Sequence, residues 1–254
     1  MSLVESEVSG HVAAVRLARL EKKNALTVEM YNELAAALAA ADAEHGVRAI
    51  LLYGSADCFT AGNDLGDFLR RPPVGDSSGA FRLFAALPEL QKPIVAAVGG
   101  PAIGIGTTLL LHCDLVYAAT NARFQLPFVK LGIVPEFAST YLLPLLAGYQ
   151  RAAELLLLGE PFDAQKACEV GIVTAVVPPE KLIEQARAAA LAIAALPPES
   201  IRLTKALMKE RHGAAIAAAI AEEGAVLRGR LTSAEAKEAF AAFLEKRKPD
   251  FSRF

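Results

Sequence analysis

CFTAGND at 58–64 and GGPAIGIGTT at 99–108 decide how this chain is read. Each follows a short run of β-forming residues, opens into a stretch of helical character and is built of small residues. A strand-to-helix junction of this kind turns backbone N–H groups outward, and the helix start adds partial positive charge. Two such junctions meeting at one point would stabilise a developing oxyanion. Their convergence is an expectation that the spacing alone does not establish.

Working outward, alternating runs at 3–8 and 12–17 about Ser9-Gly10 read as a β-hairpin. After LEKKNALT (20–27), Thr27 is the expected N-cap of a helix with Tyr31, Leu34 and Leu38 on one face, ending at His45-Gly46. Residues 48–53 and 94–98 are continuous apolar strands, as expected of a sheet covered on both faces. Between them, 70–80 (RRPPVGDSSGA) has the composition of a mobile loop, and 81–90 reads as a short helix. The second loop leads to a helix ending near His112 and a strand at 114–119, an α/β order.

PFVKLGIVP (127–135) is irregular yet apolar, and Pro144 and Gly148 divide the helical region after it. A helix is expected over 150–158, another from the cap Asp163 to Gly171, and a short strand over 172–177. Everything beyond Pro178-Pro179 reads as helical, with breaks at Pro197-Pro198 and Gly213. That shift divides the chain into a core, 1–196, and a C-terminal helical subdomain, 197–254.

Composition excludes several functions. The 254 residues are 54% hydrophobic, which is a core-forming composition, and the net charge of −2 offers no field for nucleic acid or an anionic membrane. No apolar run reaches the roughly 18–20 residues that span a bilayer, and the start lacks a basic-then-apolar leader. Cys58, Cys113 and Cys168 are scattered and odd in number, without metal-ligand spacing. A cytoplasmic protein with no metal is the expectation. His11, His45, His112 and His212 offer no hydrolase triad, and His112 sits where a helix hands over to a buried strand. Neither glycine loop is followed by Gly-Lys-Ser/Thr, and GGPAIGIG lacks the third glycine of a dinucleotide fingerprint.

The carboxylates are more informative. Asp57 and Asp64 flank the first loop as turn or cap residues. Glu136 lies among Leu131, Ile133, Val134, Pro135 and Phe137, with Ser139 and Thr140 marking a helix start. A carboxylate in apolar surroundings is desolvated and its pKa rises, which suits a proton carrier; a dipole-stabilising acid is the plainer role for the same position.

EKKNAL, CFTAGNDL, AAVGGPAIGIG, HCDLVYA, FQLPFVKLGIVPE and EAFAAFLEKRKPDF stand in the order found in the enoyl-CoA hydratase/isomerase, or crotonase, superfamily, and the resemblance covers nearly the whole chain. It implies a spiral of ββα units with a C-terminal helical trimerisation subdomain. Gly-Asn-Asp-Leu in the first loop and Pro-Glu at 135–136 are most similar to the Δ3,Δ2-enoyl-CoA isomerase branch. By that resemblance the backbone N–H groups of Asn63 and Ile105 form the oxyanion hole. The two glutamates of the hydratases fall at Thr108 and Phe128, neither of which can split water. Glu136 occupies the position of the isomerases' catalytic acid/base.

The reaction implied moves a double bond from C3 to C2 of an enoyl-CoA thioester through a dienolate, as in β-oxidation of fatty acids. Coenzyme A is then part of the substrate, and no separate cofactor is expected. Its binding falls by resemblance to Asn24, Ala25 and Leu26, to Ala61, Gly62, Asp64 and Leu65, and to Lys22 (or Lys23) and Lys246 for the phosphates. Phe84, Phe128, Phe137 and the 70–80 segment would line the acyl pocket. Ala236, Phe240 and Phe243 share a face of the tail helix, and the family's assembly is a homotrimer or a hexamer of paired trimers. The alternatives are hydration, isomerisation of an aromatic-pathway CoA ester, or non-catalytic acyl-CoA binding.

Overall fold

The computed structural model of the protein describes residues 2–71 and 79–254. Its strands are β1 (Val4–Ser9), β2 (Val12–Leu17), β3 (Ala49–Tyr53), β4 (Ile94–Val98), β5 (Pro101–Ile103), β6 (Leu115–Ala119), β7 (Arg123–Gln125), β8 (Phe162–Asp163) and β9 (Ala175–Val177). Its helices are α1 (Val28–Ala43), α2 (Leu65–Arg70), α3 (Gly79–Ala86), α4 (Ile105–Thr108) and α5 (Ser139–Ala147) in the first part of the chain. The rest are α6 (Tyr149–Ala153), α7 (Ala164–Glu169), α8 (Leu182–Ala194), α9 (Pro198–Arg230) and α10 (Ala234–Leu244).

The apolar runs form a six-stranded sheet in the order β1-β2-β3-β4-β6-β9. The hairpin β1–β2 is antiparallel, with Ser9 opposite Val12, and every later neighbour pairs in parallel. Alternate side chains enter two separate cores, so the strands read as unbroken hydrophobic runs. Ala13, Val15, Ile50 and Leu52 meet Met30, Leu34 and Leu38 of α1 on one face. Val12, Ala14, Leu51 and Val95 meet α8 on the other, through the four-residue stripe Leu182, Ala186, Ala190 and Ala194. The expected caps hold: Thr27 accepts from Met30 N–H at 3.3 Å and Asp163 from Lys166 N–H at 2.8 Å.

A second sheet, β5-β7-β8, has no counterpart in the sequence reading. Its strands are two or three residues long and flanked by glycine and proline, too short to show periodicity. Other boundaries also shift. The helix expected over 150–158 is α6 followed by a π-turn at Glu154–Leu158, the last strand begins at Ala175, and 81–90 becomes α3 and a 3₁₀ turn at Leu87–Glu89.

Gly213 breaks nothing: α9 runs through it for 33 residues, about 50 Å. A glycine costs a helix only about 1 kcal/mol, and α9 is tied to the core on either side of it. Lys205 Nζ donates to Asp114 Oδ2 at 2.8 Å and to the Lys92 carbonyl at 2.7 Å, and Glu223 reaches residues 138–140. Then α10 folds back over the 3₁₀ turn at Val129–Leu131. A Cβ on Gly132 would lie 2.6 Å from Ala236 N, so that approach requires glycine. Ala236 and Phe240 are buried there, whereas Phe243, expected on the same face, is 57% exposed in the last turn of α10. No helix among the described residues is long and apolar enough to cross a membrane.

Candidate active site

The two glycine loops do come together. Thr60 pairs with Ala102 in a parallel bridge, Thr60 N–H donating to the Pro101 carbonyl at 2.9 Å and Ile103 N–H to the Thr60 carbonyl at 3.2 Å. A second bridge joins Leu26 to Asn63, so the first loop lies between 24–26 and β5. Glycine makes the approach possible. Gly100 has φ +57° and a Cβ there would lie 1.8 Å from the Asp57 carbonyl oxygen; at Gly62, φ +84°, it would lie 2.6 Å from that of Ile103. Asn63 directly follows Gly62, and Ile105 follows Gly104, φ +56°; among the described residues neither backbone N–H has an acceptor. Orphaned N–H groups are rare in buried surroundings, and Ile105 is 1% exposed.

Glu136 and Asn63 line one cavity with Tyr31, Phe84, Leu26 and Leu227. The Glu136 carboxyl is buried, and its Oε1 has no hydrogen-bond partner; Ser139 Oγ is the other buried side-chain oxygen so placed among the described residues. Burial, and secondarily the neighbouring carboxylate of Glu223, push the Glu136 pKa up to about 8. A group with that pKa can both take and return a proton near neutral pH. Sequence reasoning placed Tyr31 only on the packing face of α1. Its hydroxyl donates to Asn63 Oδ1 at 2.6 Å, and burial together with Glu136 holds its pKa well above the ordinary 10. The available signal was a phenol on a buried stripe, which needs a polar partner. Leu227 was also missed, because it enters from α9, more than ninety residues after Glu136 in the chain.

The backbone under Glu136 is unusual. Phe137 and Ala138 both have left-handed φ, 63° and 56°. The Phe137 ring stacks between Phe84, at 4.4 Å, and His112, at 4.0 Å, and His112 Nε2–H donates to the Phe137 carbonyl at 2.9 Å. Burial lowers the His112 pKa to about 4, leaving it neutral. No side chain of Ser139 or Thr140 caps α5 in the expected way; the N-cap position is Ala138, and the capping carboxylate is Glu223.

Several residues expected at the ligand have polar groups already paired within the chain. Asn24 is fully buried: its side chain accepts from Arg19 N–H at 2.8 Å and donates to the Phe59 carbonyl at 2.9 Å, so it is a strut between segments. Asp64 caps α2 by accepting from Asp67 N–H at 3.0 Å and pairs with Arg19 at 2.8 Å. Leu26 N–H and Asp64 N–H bond the carbonyls of Gly62 and Leu26, and Ala61 N–H bonds that of Lys23, which leaves these groups no donor for a ligand. Ala25 and Leu65 are half-buried; Lys22, Lys23 and Lys246 are exposed. Of the three phenylalanines only Phe84 lines the cavity, with Phe137 stacked behind it. Phe128 belongs to the main core, and Thr108 is fully buried with its hydroxyl turned to the Ile105 carbonyl, 3.5 Å away. Residues 72–78, most of the segment expected to be a mobile wall of the acyl pocket, lie outside the described residues.

The family model for enoyl-CoA hydratase/isomerase matches residues 7–253. The chain is 36% identical over 243 residues to human enoyl-CoA delta isomerase 2, which covers 93% of this chain and 61% of that protein, so it spans under two thirds of that relative. It is 35% identical to Escherichia coli K12 1,2-epoxyphenylacetyl-CoA isomerase over 99% of each chain. The solved structure of an enoyl-CoA hydratase/isomerase from Pseudoalteromonas atlantica T6c superposes with a TM-score of 0.93 at 40% identity, covering 98% of this chain and 99% of that one. The glycine-joined loops, the buried acid and these likenesses agree: the chain belongs to the enoyl-CoA hydratase/isomerase family and has the crotonase fold.

Proposed function

We propose that the protein is a Δ3,Δ2-enoyl-CoA isomerase. The observation that carries this reading is that Glu136 is, among the described residues, the one carboxylate with an unpaired buried oxygen, while the hydratase positions hold Thr108 and Phe128. Hydration needs a water held between two acid/base groups, whereas a 1,3-proton shift needs only one. Glu136 takes the C2 proton of a 3-enoyl-CoA, and the C2–H electron pair moves into the thioester as a dienolate. Asn63 and Ile105 N–H stabilise its oxygen in the manner of an oxyanion hole. The same carboxyl then returns the proton to C4, leaving the double bond between C2 and C3.

The family likeness supports an acyl-CoA thioester as substrate, with CoA as part of it and a homotrimer or hexamer as the assembly. For CoA itself, Lys22, Lys23 and Lys246 remain exposed as phosphate partners, and Ala25, Ala61 and Leu65 as accessible loop surface. The second reading is isomerisation of an aromatic-derived CoA ester, favoured by the end-to-end match to the E. coli relative. It uses the same base and donors.

Parallel assays with 3-hexenoyl-CoA, crotonyl-CoA and a ring-epoxide CoA ester decide among these. Double-bond shift of 3-hexenoyl-CoA with negligible hydration of crotonyl-CoA is the expected outcome. Fast hydration would refute the role given to Thr108 and Phe128. Micromolar acyl-CoA binding without turnover of any of the three would mark a non-catalytic binder.

A further inference from the structure

We propose that Glu223, on α9, is a positioning residue that holds the turn carrying Glu136; this deepens the isomerase reading and rests on it. Two consecutive non-glycine residues in the left-handed region, Phe137 and Ala138, are strained and persist only when their surroundings fix them from more than one side. One side is His112, bonded to the Phe137 carbonyl. The other is Glu223, whose Oε2 accepts from Ala138 N–H at 2.7 Å, and whose Oε1 accepts from Thr140 N–H at 2.8 Å and from Thr140 Oγ1 at 2.5 Å.

These bonds serve the orphaned donors at the start of α5, where no local side chain caps the helix. Glu223 is 7% exposed, and a buried carboxylate with only acceptor contacts remains costly unless all of them are made. Four residues further along α9, Leu227 enters the cavity that Glu136 lines. One face of α9 therefore both shapes the cavity and fixes the backbone from which the acid projects. Without Glu223 the turn relaxes toward ordinary φ, and the Glu136 carboxyl leaves the proton-transfer position. Because a small misplacement of a base is felt in the chemical step more than in binding, the effect belongs in kcat.

The test compares Glu223→Gln, which keeps the shape but offers a single acceptor oxygen, with Glu223→Asp, which keeps both acceptors and the charge. The readouts are 3-hexenoyl-CoA isomerisation and exchange of the C2 protons of butyryl-CoA in D2O, followed by NMR. The Gln variant is expected to lower kcat and the exchange rate about 10–100-fold with KM within about threefold, and the Asp variant to recover at least fivefold of that loss. Wild-type rates in folded Glu223→Gln, or equal loss in both variants, would overturn the proposal. Should the Gln variant fail to fold, Thr140→Val removes one of the three bonds and is expected to lower kcat about threefold at constant KM; unchanged kcat there would overturn it equally. Wild-type proton exchange without double-bond shift would refute the isomerase reading and leave the role of Glu223 to the exchange rates. Absence of both in the wild type would refute both.

Discussion

The glycine loops and the turn under Glu136 are both backbone in unusual conformation, yet they are made in opposite ways. At Gly100 and Gly62 the positive φ is carried by residues without a Cβ, and the space a Cβ would fill is taken by a neighbouring carbonyl. The strain is removed locally, and the geometry is rigid because backbone meets backbone. At Phe137 and Ala138 side chains occupy the same region of φ, and distant groups, His112 and Glu223, hold them there. Donors that only need to be pointed at an oxygen can be built from glycine. A base that must be both buried and aimed is built from the packing of three elements.

The widest separation of the two regions comes from removing the base. Glu136→Gln is expected to lower isomerisation about a thousandfold, with hexanoyl-CoA affinity by calorimetry unchanged, since in the proposed reading Glu136 acts on the C2 and C4 protons rather than on the CoA moiety. Gly100→Ala strikes the other region. A Cβ 1.8 Å from a carbonyl oxygen must displace backbone, and the variant should lose on the order of 3–5 kcal/mol, about 10 °C in a melting scan.

Effects of pH follow from the burial of Glu136. Its pKa of about 8 leaves the carboxyl mostly protonated at pH 7, so under the proposed function kcat/KM should rise tenfold per unit at low pH and level off near 8. Stability moves the other way. Below the ordinary value of 4.5 both folded and unfolded chains hold the proton, and no penalty exists. Between 4.5 and about 8 only the folded chain keeps it, so stability falls with rising pH across that window. Melting scans of Glu136→Gln against wild type should accordingly show little difference at pH 4 and a growing advantage for the variant up to pH 9. The smallest effect is expected from Ala138→Gly. Relief of left-handed strain, the loss of a buried methyl and greater unfolded-state freedom nearly cancel, leaving stability within about 1 kcal/mol. A loss like that of Gly100→Ala would erase the distinction between the two regions.

Much of the framework could be read directly from residues. The hairpin, the three buried strands, and the caps Thr27 and Asp163 depend on period and on local chemistry, and they stand where expected. Gly213 misled because a helix tied down by Lys205 on one side and Glu223 on the other tolerates one glycine. Asn24 misled in another way. The resemblance places it at the ligand, but whether its amide faces a ligand or bridges two backbone segments is not a local property. Tyr31 and Leu227 were not legible as site residues for a related reason: the packing stripe of α1 does not say which of its members border a cavity, and Leu227 reaches it from a distant helix.

By itself the sequence determined the class of fold, the glycines that let two loops touch, and the presence of a lone acid at 136 where the hydratase glutamates are missing. Those are matters of residue type at a position, and each acts over a few neighbours. The tertiary structure alone decided that the loops lie side by side and that Asn63 and Glu136 face one cavity with Tyr31. It also decided that the turn after Glu136 is held from α9. These are contacts between segments tens of residues apart, which chain-local periodicity and propensity do not encode.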